Sequence, residues 1–480
     1  MLPQIALDLR SETPIYRQLA EKIRELIQRG ALEQGERLPA TRELAGMLGL
    51  NRTTVSAAYE LLEAEGLLKG HVGRGSFVSG VNEAKGHGID WSQFSAETES
   101  WSVGSARISF AASRPASELF PLDEFRETCR EVLEGGTLAE ILQLGSPLGY
   151  GPLRAFLRRS GQESDEVLIT SGCQQAIDLV QRAVVRPGDT VVLEDPVYPG
   201  LKNVFAPAGA RLIGVPVGPT GIDLEVLERT IQRERPRLLV ITPNFQNPTG
   251  ATLPLTARQT ILRITREHGT ILLENDIYGD LRYDGILLPT MKQLDPSGDV
   301  VHLGSFSKVA FPGLRIGWVI APKALISRLA AAKQWCDLHS DNLSQAVLFR
   351  FVESGRLAKH RRRVIVEGQR RLETVLESCE QYLPPGSRFT RPQGGMNLWV
   401  RLPDLLDASE LLPSALRAGV NYLPGRYFGV SRSEPNSLRL SFAGLPPEQI
   451  REGVAILGEL FLNELERAQA ERLEPAAALV

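Results

Sequence analysis

In the first eighty positions apolar residues recur at helical spacing. "PIYRQLAEKIRELIQRGAL" places Ile15, Leu19, Ile23, Leu26 and Ile27 on one stripe behind Pro14, which predicts a helix packed along one face. Two further helical stretches follow, "LPATRELAGMLGL" and "NRTTVSAAYELLEAEGLL", and then "LLKGHVGRGSFV" reads as a β-hairpin with a glycine-rich tip. From about 81 to 107 the periodicity stops. "VNEAKGHGIDWSQFSAETESWSVGSAR" is rich in Gly, Ser and Glu and reads as a linker, with Trp91, Phe94 and Trp101 leaving docking open as an alternative.

Beyond it the pattern changes. "DEVLIT", "TVVLED", "RLIGVPV", "RLLVIT", "TILLEND", "VVHLGS" and "RIGWVIA" are short apolar runs, several separated by helical stretches such as "CQQAIDLVQRAVV". Near-continuous apolar strands with helical crossovers predict an α/β fold: a mainly parallel sheet with helices on both faces. After residue 322 helices run to about 380. A smaller α+β section follows, with strands near "MNLWVRL" and "SLRLSFA", a last helix near 447 to 468 and a frayed tail "ERLEPAAALV". The expected division is a domain at 1–80, a linker at 81–107 and a domain at 108–480, whose large part runs to about 340 and small part from 341 to 468.

A length of 480 residues agrees with more than one domain, and 42% hydrophobic with 23% charged residues is the composition of a soluble globular protein. The net charge of -3 supplies no general attraction to nucleic acid or anionic membranes. Cys129, Cys173, Cys336 and Cys379 are far apart, so neither a zinc site nor a disulfide framework is expected. The N-terminus lacks the apolar stretch of a signal peptide and no run is long enough to span a bilayer, so the expected location is the cytoplasm.

The segment "TRELAGMLGLNRTTVSAAYELLEAEGLL" has the anatomy of a helix-turn-helix. A helix from Thr41 to Leu48 meets a tight turn at Gly49, Leu50 packs inward, and Asn51 caps the next helix. On that helix Val55, Tyr59 and Leu62 face the core, leaving Arg52, Thr53 and Ser56 toward the side that meets base edges. Ten Lys and Arg balance ten Asp and Glu in residues 1–80, so charge alone does not make this a DNA binder. The bland alternative is a three-helix module for protein contact. The segment resembles, over about 65 residues, the winged helix-turn-helix of the GntR superfamily. That resemblance implies double-stranded operator DNA as partner, with Thr41 and Arg42 at phosphates and Arg52 and Thr53 at bases. Asn51 and Thr54 lie beside them, and Arg74 enters a groove from the wing.

The stretch "GSFSKVAFPGLRIGW" sets Lys308 between serines and follows it with Arg315. A lysine that forms an imine with an aldehyde cofactor needs such a setting, and pyridoxal 5'-phosphate is the cofactor that does this with amino acids. Its needs can be sought one by one. Asp276, ending the strand in "LLENDIYGDLRY", is an acid to hold the pyridine nitrogen protonated; Glu274 lies on the same strand face, and spacing does not choose between them. Asn247 in "TPNFQNPTG" and Tyr278 offer hydrogen bonds to the phenolic oxygen. Gly172, Cys173 and Gln174 open a helix after a strand and, with Ser305, Ser307 and Arg315, form a phosphate cradle. Tyr198 in "EDPVYPG" can stack on the ring, and Arg439 in "SLRLSFA" can grip a substrate carboxylate. Each has a dull reading alone: a helix start, a common turn, a surface arginine. Together, at successive strand ends, they are hard to assign to chance.

These elements resemble the fold type I aminotransferases of class I/II across roughly residues 108 to 465. The resemblance implies Lys308 as the Schiff-base lysine, with Asp276 and Tyr198 beside it as catalytic residues, and no metal. One departure is "LGSPLGYGPLR", with Leu144 where relatives often carry a tyrosine that serves the neighbouring subunit; Tyr150 lies six residues later. Taken whole, the chain resembles the MocR subfamily of GntR regulators. That implies a homodimeric, DNA-binding transcriptional regulator that senses pyridoxal phosphate, or an amino acid or amine, through aldimine chemistry. The alternative is a working aminotransferase, with a 2-oxoacid acceptor, that carries a DNA-binding head.

Overall fold

The computed structural model describes residues 7–8, 13–71, 75–79 and 106–477. The chain forms two compact units, Met1–Ser100 and Trp101–Val480. Arg74 and residues 81–105, with Trp91, Phe94 and Trp101, lie outside the described residues.

In the first unit α1 (Ile15–Gln28), α2 (Thr41–Leu48) and α3 (Arg52–Ala64) precede an antiparallel hairpin of β1 (Leu68–His71) and β2 (Gly75–Val78). Leu19, Ile23 and Ile27 of α1 pack with Leu44 of α2 and Val55, Tyr59 and Leu62 of α3 in one core. Gly49 ends α2 at φ 64, a left-handed conformation that costs glycine little. Asn51 then caps α3, its side chain accepting from the Thr53 N–H at 3.1 Å. Tyr59 donates to the Pro39 carbonyl at 2.9 Å, which fixes the chain entering α2. Arg24 clamps Glu65 through Nη2 at 2.7 Å and Nε at 3.1 Å, tying α1 to the end of α3.

The second unit is built on an eight-stranded sheet. In chain order its strands are β3 (Asp165–Thr170), β4 (Thr190–Asp195), β5 (Arg211–Gly218), β6 (Gly221–Ile222), β7 (Leu238–Ile241), β8 (Ile271–Asn275), β9 (Val301–Ser305) and β10 (Gly317–Pro322). Their order across the sheet is β3-β10-β9-β8-β7-β4-β5-β6. The run from β9 through β5 is parallel, and β10 is antiparallel to both β3 and β9. Both faces are covered. Val191 and Leu193 of β4 enter a core with helix α4 (Cys173–Val184), while Val192 enters another core with the helices Leu224–Glu234 and Leu255–His268.

A smaller section carries a four-stranded antiparallel sheet centred on Asn397–Arg401 and Ser437–Ser441, beside the long helices Arg356–Tyr382 and Pro447–Ala477. The last helix continues past 468 to Ala477, where a frayed tail was expected. Leu, Glu, Arg and Ala carry helix propensity beyond the point where the apolar stripe thins. Near the start of the unit, Ile108–Ser109 pairs with Val420–Asn421, which directs the chain at Ala111 to Ser113 along the cavity described next.

Candidate functional site

A cavity of about 670 Å³ opens at the carboxyl ends of the parallel strands. Lys308 reaches it from a single 3₁₀ turn, Phe306–Lys308, directly after β9. Its Nζ donates to the Ser113 carbonyl at 2.6 Å and lies 5.6 Å from the centre of the Tyr278 ring. Ser113 drew no attention in the sequence, because a carbonyl acceptor 195 positions away has no local signature.

On one side, Asn247 Nδ2 donates to the Tyr278 hydroxyl at 3.3 Å, and Asn247 Oδ1 accepts from Arg439 Nη1 at 3.0 Å. Burial opposes ionisation of Tyr278, but Lys308, Ser113 and Arg439 together lower its phenol below the ordinary range. Arg439 is buried at 3% exposure, also donates to the Ala111 carbonyl, and leaves Nε without a partner. Burial lowers its guanidinium to about 10, so it stays charged at neutral pH.

On another side, Gly172 adopts φ 82 at the N-terminus of α4, and a Cβ there would collide with Arg315 Nη2. Ser305 Oγ lies 3.0 Å from Ser307 Oγ and accepts from the Ser307 N–H. The first N–H groups of α4, at Cys173 and Gln174, have no intrahelical partner. Arg315, paired hydroxyls and a helix N-terminus thus gather where an anion is favoured. Tyr198 borders the same cavity, held beside Gly200, where any side chain would run into its ring. An aldehyde cofactor with a phosphate arm fits these donors: an amine, an anion cradle lacking any Cβ at Gly172, and a buried arginine with an unused N–H.

Asp276 is not part of this constellation. Asp276 does not line the cavity; Oδ1 accepts from Asn244 Nδ2 at 2.9 Å, and Asn244 Oδ1 accepts from Arg258 Nη2 at 2.6 Å. Burial, with the nearby Glu274, pushes its carboxyl above the ordinary range. Glu274 is equally committed, accepting from the Met291 and Lys292 N–H groups and from His302 Nδ1 at 3.0 Å. Successive strand residues face opposite sides, so the residue between them, Asn275, borders the cavity instead. The expected pyridine partner is therefore corrected: both acids lie on the wrong face of the strand end. Leu144 is 74% exposed and Tyr150 packs on Phe349 with a ring separation of 6.3 Å; neither lines the cavity.

In the first unit Arg42, Arg52 and Thr53 are exposed, Thr41 and Thr54 are partly so, and the Asn51 side chain serves as the cap. The opening turns of α2 and α3 thus present hydroxyl and guanidinium groups to solvent, while the acids Glu60, Glu63 and Glu65 cluster toward the far end of α3.

Residues 115–457 match the family described as aminotransferase class I and II, and residues 15–78 match bacterial regulatory proteins of the gntR family. A 2-aminoadipate transaminase of Thermus thermophilus is 40% identical over 356 residues, covering 73% of this chain and 89% of the transaminase. A probable rhizopine catabolism regulatory protein, MocR, of Rhizobium meliloti is 30% identical over 501 aligned positions, covering 99% of both chains. The solved structure of LysN, an alpha-aminoadipate aminotransferase of Thermus thermophilus complexed with N-(5'-phosphopyridoxyl)-L-leucine, superposes with a TM-score of 0.71 at 38% identity, over 75% of this chain and 93% of LysN.

Proposed function

This chain belongs to the class I and II aminotransferase family and, through its gntR-type head, to the MocR-type regulators; on that premise we propose a DNA-binding transcriptional regulator that reads an amino acid or amine at Lys308. The observation that carries this reading is coverage. The regulator relative spans 99% of this chain, head included, whereas the transaminase relative spans 73%. The cofactor is pyridoxal 5'-phosphate. When bound, it supplies an aldehyde carbon that exchanges amines and a ring that can draw electrons from them.

Lys308 is the amine that would hold that carbon. Ser305, Ser307, Arg315 and the backbone at Gly172, Cys173 and Gln174 hold the phosphate, and Asn247 and Tyr278 orient the phenolic oxygen. Tyr198 covers the ring. Arg439 captures a ligand carboxylate, with Nε free to donate to it. Drawing a carboxylate to Arg439, on a strand of the smaller section, favours movement of that section inward. Such closure is a two-state element, and the ligand biases it only by binding the two states differently. That bias would reach heads in which Arg52, Thr53 and Thr54 read bases and Thr41, Arg42 and Asn51 meet the DNA backbone. A homodimer sets two heads on paired half-sites. Among the described residues no helix is long and apolar enough to cross a membrane, and we place the protein in the cytoplasm with its DNA.

The direct test follows occupancy of DNA from upstream of the chain's own gene. Wild type should shift its occupancy with pyridoxal phosphate and a responsive amino acid, and Lys308→Ala should bind DNA without responding. An unchanged response in Lys308→Ala defeats the reading. The 40% identity to a transaminase favours a second reading, an active aminotransferase. Repeated turnover with a 2-oxoacid acceptor distinguishes it.

A further inference from the structure

The cavity contains three cationic side chains, Lys308, Arg315 and Arg439, and no aspartate or glutamate among its lining residues. At the end of β8 the residue facing it is Asn275, 5% exposed. Asn275 Oδ1 accepts from Cys173 Sγ at 3.2 Å, and Nδ2 donates to Thr242 Oγ1 at 3.3 Å. Burial pushes the Cys173 thiol up to about 12, so it remains a neutral donor. This floor of amide, thiol and hydroxyl carries no negative charge.

Its position matters because of the cofactor's own geometry. In pyridoxal phosphate the ring nitrogen lies para to the aldehyde carbon. A ring joined to Lys308, with its phosphate toward Gly172 and Arg315 and its phenolic oxygen toward Asn247 and Tyr278, directs that nitrogen away from Lys308 and between those two sides. Asn275 occupies that ground, linked to Cys173 beside the phosphate cradle and to Thr242 at the end of β7. A carboxylate there would raise the nitrogen's pKa by roughly 1–3 units through opposite charge. An amide supplies no such field.

We propose that Asn275 keeps the ring nitrogen of bound pyridoxal phosphate unprotonated, making the cavity a site that holds an amine without converting it. Amine exchange survives this choice. The incoming nitrogen bonds to the carbon that Lys308 Nζ leaves, and the two hydrogens of the incoming amine end on Nζ, with no oxidation or reduction. Removal of the α-proton is slowed by it, because a neutral ring nitrogen receives the electron pair left on the α-carbon less readily than a protonated one. Asn275 is therefore the residue that separates ligand reading from turnover. The inference rests on the cofactor reading of Lys308.

The experiment uses full-length wild type and Asn275→Asp, each reconstituted with pyridoxal phosphate carrying 15N in the ring. Two readings are taken on resting protein: the ring 15N shift between about pH 6 and 9, and the mass at Lys308 after borohydride. Both proteins are expected to carry the reduced cofactor at Lys308. Wild type should give the neutral-pyridine shift across the range, and Asn275→Asp the pyridinium shift. In D2O with an amino acid that binds, exchange of the α-proton should be faster in Asn275→Asp by on the order of 10²-fold or more. A wild-type nitrogen that is protonated while Lys308 carries the adduct overturns the inference and leaves the cofactor reading standing. Absence of the adduct overturns both. The wild-type shift decides the question even if the variant folds poorly.

Discussion

The two faces of the β8 strand end differ in charge while sharing three consecutive residues. Behind the sheet, Glu274 and Asp276 sit in a charged network with His302, Asn244 and Arg258. In front, Asn275 closes a cavity whose ionisable groups are cationic or phenolic save the Cys173 thiol. The rear face spends its acids on structure: Glu274 is fully buried and satisfies two backbone N–H groups as well as the imidazole. The front face has none left for chemistry. A carboxylate in a motif is thus evidence of function only once its side of the strand is known.

Breaking the front face at its anchor should have the largest effect. Lys308→Ala is expected to abolish the borohydride-fixed cofactor completely, read as intact mass. Breaking the rear face should act on stability instead. Glu274→Gln leaves His302 facing an amide, and loss of a buried charge partner costs about 3 kcal/mol, measurable by urea denaturation.

The same pair sets a pH dependence. Burial alone would raise Glu274, but His302 and the backbone N–H groups hold it below the ordinary range; burial would lower His302, but Glu274 holds it above. The contribution of Glu274 is present above its unfolded pKa, about 4.3, and lost as pH falls through its lower folded value. That of His302 is present below about 6.5 and lost as pH rises through its higher folded value. Stability should therefore be greatest between about pH 4.5 and 6.5 as far as this pair decides it, and Glu274→Gln should flatten the profile.

Smaller effects sharpen the contrast. Gly172→Ala strains a φ of 82 and presses on Arg315; at about 1–3 kcal/mol it should weaken pyridoxal phosphate binding by roughly five- to a hundred-and-fiftyfold, read by equilibrium dialysis, with the rear network unaffected. Asn51→Ala, in the other unit, removes a single cap and should lower the stability of the head by about 1 kcal/mol, read by thermal melting, without altering cofactor binding.

Much of this was legible in the sequence because it was local. The apolar runs of β3 to β5 and β7 to β10, the Gly49 turn, the Asn51 cap and the Lys308 to Arg315 segment all depend on neighbours within a few residues; the two-residue β6 is too short to show such a run. The winged-helix core followed directly from the spacing of Val55, Tyr59 and Leu62. What was not legible depends on tertiary placement. Alternation puts Glu274 and Asp276 together and Asn275 opposite, yet nothing local says which side meets Lys308. Ser113 enters only because the Ile108–Ser109 bridge to Val420–Asn421 brings distant backbone to the cavity. The sequence also marked Leu144 and Tyr150 as a possible exchange of roles, but Tyr150 is committed to Phe349 and its N–H to Gln345.

One titration bears most directly on the claim that this site reads amines rather than converting them. The reconstituted protein, on DNA from upstream of its own gene, would be titrated with a responsive amino acid in the presence of a 2-oxoacid acceptor, while DNA occupancy and the oxoacid released from that amino acid are followed together. Occupancy should change while that oxoacid stays below one equivalent per site. Oxoacid accumulating over many turnovers, with occupancy unmoved, would contradict it.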